Sequence, residues 1–120
     1  MNVAAPAFAV ALALAAMTAP PLAAAPAVTD YNVLAYVLMT VEGAQQTCGF
    51  KPNYGAIAPL ILASTRIPDA DEADFENEMK AQVRAIGAAI AAKGTTSWCL
   101  ETMRRLGPHG VDMPGLLTAP

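Results

Sequence analysis

The sequence predicts an all-α fold: a small bundle of about four short helices tied by one disulfide, after a cleaved N-terminal signal peptide. Three observations carry that reading. The chain opens on an uncharged, Ala-rich leader. Apolar residues then recur at steps of three and four. There are two cysteines, Cys48 and Cys99.

Residues 1–27 have the pattern of an export leader. Residues 3–19 carry no charge, and 13 of the first 27 residues are Ala. This apolar stretch is short of the ~20 residues that span a bilayer, and Pro6 interrupts it early. Pro20-Pro21 breaks the helix, and Ala25-Pro26-Ala27 supplies a small-residue cleavage signature, which leaves Val28 as the mature N-terminus. The first basic residue is Lys51, so the usual positive start of a leader is missing. An uncleaved N-terminal membrane anchor is the alternative.

All charges lie beyond Ala27, giving the remaining residues the full net charge of −3. They make one domain (28–106) and a Pro/Gly-rich tail (107–120). A chain of this size buries only about 60–65% of its unfolded surface, so its core is marginal and a covalent staple is expected. An even cysteine count in an exported chain reads as a disulfide. Joining Cys48 to Cys99 closes a loop of about 50 residues, worth roughly 4 kcal/mol on the chain-entropy account. The pair forms no C-x-x-C and has no His or Cys close by, which makes a poor zinc site.

The elements follow in order. Thr29-Asp30 offers an N-cap, and Leu34, Val37, Val41, Ala44 and Cys48 form one face of a first helix that Gly49 ends. Phe50 to Gly55 has loop composition. The dense apolar run 56–63, interrupted by Pro59, predicts a short helix to about Arg66 with Pro59 in its first turn. Being apolar all round, it is expected in the middle of the bundle. Ile67-Pro68-Asp69 is a turn. Phe75, Met79, Val83, Ile86 and Ile90 mark a third helix, acidic at its start and closed by Lys93-Gly94 in the order the macrodipole favours. A fourth helix from Thr96 or Ser97 to Leu106 turns Trp98, Leu100 or Met103, and Leu106 inward, and Gly107-Pro108 stops it. The last 14 residues hold three Pro and three Gly, so the tail is expected to be flexible and partly ordered at best.

No residue suggests itself for catalysis, and no metal ligand or cofactor is expected. The acidic run from Asp69 to Glu76 misses the calcium-loop pattern, with Ala73 at a ligand position and Asp74 where Gly is needed. His109 sits on the tail between glycines, where nothing holds it against a partner. A hydrolase using Glu42 and Glu101 is the one enzymatic alternative. Nucleic acid is excluded as a partner by the negative charge, Arg104-Arg105 being the sole adjacent basic pair. Met39, Met79 and Met103 fall at core positions as gap fillers, which argues against copper handling.

In layout alone, one disulfide across a small helical domain, the chain resembles the small periplasmic acid-stress chaperones. Thr47-Cys48-Gly49-Phe50 and Ser97-Trp98-Cys99-Leu100 share no motif with them, so the resemblance transfers no site residue. The expectation is a periplasmic or secreted protein, not inserted in the membrane after cleavage, with a non-catalytic binding or chaperone-like role. Its partner would be a protein or a small apolar ligand, met at a patch of Tyr36, Phe50, Tyr54 and Trp98 near the disulfide. The alternative is a structural or interaction subunit of an envelope assembly, or a secreted effector. A ligand carrier would enclose a pocket among its helices; an interaction protein would expose an apolar patch.

Overall fold

The computed structural model describes residues 30–120; the leader, its cleavage signature and Val28 lie outside them. Four helices account for most of what is described: α1 (Tyr31–Cys48), α2 (Tyr54–Ser64), α3 (Glu72–Lys93) and α4 (Thr95–Leu106). A turn of 3-10 helix, Asp69–Asp71, leads into α3. Two short strands, β1 (Lys51–Pro52) and β2 (Leu117–Thr118), pair antiparallel, with Lys51 opposite Thr118 and Pro52 opposite Leu117.

The first helix starts where the sequence expects. The Asp30 carboxylate accepts from the backbone N–H groups of Asn32 and Val33, satisfying two of the donors a helix start leaves unpaired. Gly49 ends α1 with φ 71°, a left-handed conformation that favours glycine. α1 is the central element and packs against all three other helices. Its burial is correspondingly wide: Ala35 and Thr40 are buried as well as the Leu34, Val37, Val41 and Ala44 stripe.

The chain then runs up and down. The α3 start lies beside the α1 start, where Tyr31 donates to Asp71 Oδ2 at 2.7 Å and packs edge-on against Phe75 at 6.0 Å between ring centroids. Further along, Gly43 faces Ile86, so α1 and α3 run in the same sense. α2 must therefore carry the chain back from the end of α1 to its beginning. α4 is antiparallel to α1. Gly94, at φ 88° and ψ 157°, closes α3 and opens α4, a backbone state essentially restricted to glycine. Cys48 and Cys99 form the disulfide that ties the end of α1 to the start of α4, with 5.8 Å between their Cα atoms.

Four expectations are corrected. α2 is at the edge, packed chiefly on α1. Only Ile57 and Leu60 are buried, while Ile61 and Leu62 stay 44% and 48% exposed. Its apolar character indicates burial only if other elements cover it, and among the described residues none covers its outer side. Pro59 lies inside α2 rather than in its first turn; the bond it cannot donate is the one to the carbonyl of Gly55. Val83 and Leu100 point outwards. Steps of four overshoot the 3.6-residue turn by about 40° each, so Val83 drifts off the Phe75–Met79 line and Ile86 resumes it. In α4 the inward face is Trp98, Thr102 and Leu106, with Met103 packed at its edge.

The last correction is the tail. Leu116 and Leu117 are 3% and 0% exposed and belong to the core. The segment after α4 turns back across the helix end and supplies the donors its last carbonyls need. Gly107 N–H donates to Met103 O, Val111 N–H to Arg104 O, Asp112 N–H to Arg105 O, and Leu116 N–H to Leu106 O, at 2.8–3.1 Å. A helix end leaves four carbonyls without intrahelical donors, and here all four are satisfied. Asn53 joins the two ends of the fold. Its N–H donates to Leu116 O at 2.8 Å and its side-chain NH2 to Gly115 O at 2.9 Å, while its side-chain oxygen caps α2 at Ala56 N.

Candidate functional site

The four residues of the expected patch do not gather at one place; only Tyr36 and Trp98 share a groove. Trp98 is buried, its ring edge over Gly43, where even a Cβ would lie 3.4 Å from Cη2. Phe50 is partly buried against the core. Tyr36 stands 12 residues before Cys48, about 18 Å along the α1 axis, and so is remote from the disulfide. Tyr54 is 63% exposed at the start of α2. Instead of one aromatic patch, the described residues offer open grooves, and Tyr36, Trp98 and Tyr54 are divided between two of them.

The first groove, of about 260 Å³, runs between α1, α3 and α4. Tyr36 and Trp98 line it, with Thr40, Ile86 and Thr102 below and Gln82, Lys93, Glu101 and Arg105 on the rim. Most of its charge is already engaged. Arg104 and Arg105 both donate to Glu101, at 2.7 and 2.8 Å, and Arg105 also donates to Asp112 Oδ2 at 3.0 Å. The Tyr36 hydroxyl donates to the same Asp112 oxygen at 2.9 Å. The two arginine hydrogen bonds hold the Glu101 carboxyl down at about 2. The Tyr36 and Arg105 hydrogen bonds depress Asp112 in the same direction. Partial burial, reinforced by Asp112, raises the Tyr36 phenol above its ordinary value. These groups hold the segment after α4 against α4 and α1.

The second groove, of about 390 Å³, lies between α1, α2 and α3 and is predominantly apolar. Leu38, Met39 and Val41 from α1, Tyr54, Ile57 and Ile61 from α2, and Phe75 and Met79 from α3 line it. Glu42, Gln45, Pro52 and Ser64 complete the wall. Ile57 and Phe75 are buried and form a fixed floor; Tyr54 and Ile61 are exposed on the α2 bank. The Glu42 carboxylate accepts from the Gln46 side chain at 3.1 Å. Among the described residues no ion pair is spent inside this groove, and its apolar walls are open to water.

The remaining candidates are dispersed. Glu42 and Glu101 line different grooves and form no paired site. His109 is exposed in the turn closed by Gly110 N–H to Gly107 O. Asp71, in the acidic run, is engaged by Tyr31. Among the described residues no three His, Cys, Asp or Glu side chains gather as a metal site would need. The α1–α2–α3 groove leaves little trace in the sequence, because a helix apolar all round points to an interior position. Its signal was present nonetheless, in an apolar run longer on every side than one neighbouring helix can cover. No family model, no curated protein and no solved structure matches the chain.

Proposed function

We propose that this chain is an exported, non-catalytic binding protein whose α1–α2–α3 groove receives an apolar segment of a partner protein. The observation that carries the reading is the groove itself. Tyr54 and Ile61 stand in water around a floor of Ile57 and Phe75. An apolar surface rimmed by polar residues is the usual mark of an interaction site. Its open form suits an inserted chain segment better than an enclosed small ligand. The spacing also fits: α2 is 11 residues long, about 16 Å, the length of three turns of a docked helix.

Other features support the reading. Glu101 stays ionised throughout the physiological range and cannot serve as a general acid there. The disulfide fits an oxidising compartment. Among the described residues, no helix is long and apolar enough to cross a membrane.

The test is a titration of the isotopically labelled domain with a 14-residue helical peptide carrying Leu on one face and Gln on the other. Amide shifts should concentrate at Leu38, Met39, Ile57, Ile61 and Met79. Ile61→Glu, at an exposed position the fold tolerates, should weaken binding at least about tenfold, or 1.4 kcal/mol. Shifts confined to the α1–α3–α4 groove, or none at all, would overturn the proposal.

A further inference from the structure

We infer that the segment received by the α1–α2–α3 groove is a basic amphipathic helix, apolar on one face and rich in Lys or Arg on the other. The inference rests on the docking role proposed above and adds the chemistry of the partner. Charge is divided unevenly along the fold. Residues 30–80 hold eight carboxylates against three basic side chains, a net −5, whereas residues 81–120 hold four basic and two acidic side chains, a net +2. Every residue lining the groove falls between Leu38 and Met79, inside the acidic part. Its three basic residues, Lys51, Arg66 and Lys80, do not line the groove.

One of these carboxylates lines the groove, and two more stand beside α3 residues that do. Glu42 is in the groove wall. On α3, Glu72 stands three residues before Phe75 and Glu76 three before Met79, and residues three apart are neighbours on a helix surface. Both glutamates are exposed. Among the described residues all three ion pairs involve Glu101 or Asp112, so none of the eight carboxylates of residues 30–80 is neutralised by a cation of the fold. Carboxylates beside apolar walls repel one another, and a cationic occupant relieves that repulsion while its apolar face fills the groove. The same charges disfavour an anionic membrane surface as the occupant. Met39 and Met79 adapt to different side-chain shapes, so charge and amphipathicity, more than an individual apolar residue, define the partner.

Three 14-residue peptides with the same Leu face and polar faces of Lys, Gln or Glu separate the possibilities, read by fluorescence anisotropy on the disulfide-bonded domain. The Lys peptide should bind at least about tenfold more tightly than the Gln peptide, and the Glu peptide more weakly than either. The advantage should shrink as ionic strength rises from about 0.01 M to about 1 M, across which the screening length falls from 30 to 3 Å. Glu72→Gln with Glu76→Gln should remove most of the advantage while leaving affinity for the Gln peptide unchanged. Equal binding of all three peptides would overturn the basic partner and leave the groove as a docking site. A scrambled Lys peptide binding as well as the amphipathic one, or Lys-peptide binding insensitive to Ile61→Glu, would overturn it too. Binding by none of the peptides would remove the docking role itself.

Discussion

Glu101 shows how much a single side chain organises here. Its two oxygens take hydrogen bonds from Arg104 and Arg105, and Arg105 passes the linkage on to Asp112, where Tyr36 arrives from α1. The consequence for pH follows from proton uptake. In the folded protein Glu101 takes its proton near pH 2, against an ordinary value of 4.5 in the unfolded chain. The stability carried by this group is therefore complete above about pH 4.5 and is lost as pH falls from there towards 2. Asp112 is depressed too and adds to the same loss. Glu101→Gln should flatten the acid limb of a stability–pH curve between those values, measured by urea unfolding. An unchanged slope would show that the pair is fully screened by solvent.

At the scale of elements, the segment after α4 is the one whose role depends most on close fit. A Cβ on Gly110 would overlap the Arg105 carbonyl oxygen, and one on Gly107 would overlap Met103. Both glycines let backbone pass close enough to satisfy carbonyls that would otherwise be left without donors. Gly110→Ala should destabilise the domain by about 1–3 kcal/mol, as overpacking does, and lower the thermal midpoint by several degrees or more. Hydrogen exchange at Val111, Asp112 and Leu116 should accelerate with it. Retained protection at those amides would show that the segment can shift without loss.

How legible each element was follows from what it contacts. α1 is bounded by a capping Asp30 and a terminal Gly49, local signals that owe nothing to the rest of the chain. The same is true of the acidic start and Lys93-Gly94 end of α3. The tail was not legible, because its order comes from backbone bonds to α4 and to Asn53, which leave no periodicity in the sequence. Three prolines and three glycines look alike in a loose tail and in a close-fitting turn. The edge position of α2 is not legible for the converse reason: composition reports how apolar a helix is and not how many neighbours it has.

At the scale of the whole molecule, the disulfide connects positions 51 residues apart and joins the central helix to the last one. Cys48→Ser or Cys99→Ser should cost roughly 2–4 kcal/mol in unfolding free energy. Equal urea midpoints with and without reductant would contradict this. Mature protein recovered from outside the cytoplasm should begin at Val28, with a mass two units below that of its reduced form. Of the disulfide and the groove, the disulfide was fully legible from two cysteines. The groove was not, since it is a property of three helices meeting and of a fourth that does not cover them.

The pairing of β1 with β2 also sets a second clasp beside the covalent one. Lys51, three residues after Cys48, lies opposite Thr118, while Leu117 is completely buried and Leu116 N–H closes the last carbonyl of α4. Opening the disulfide therefore leaves the end of α1 fastened to the segment beyond α4 by backbone hydrogen bonds, a tether that reductant does not touch.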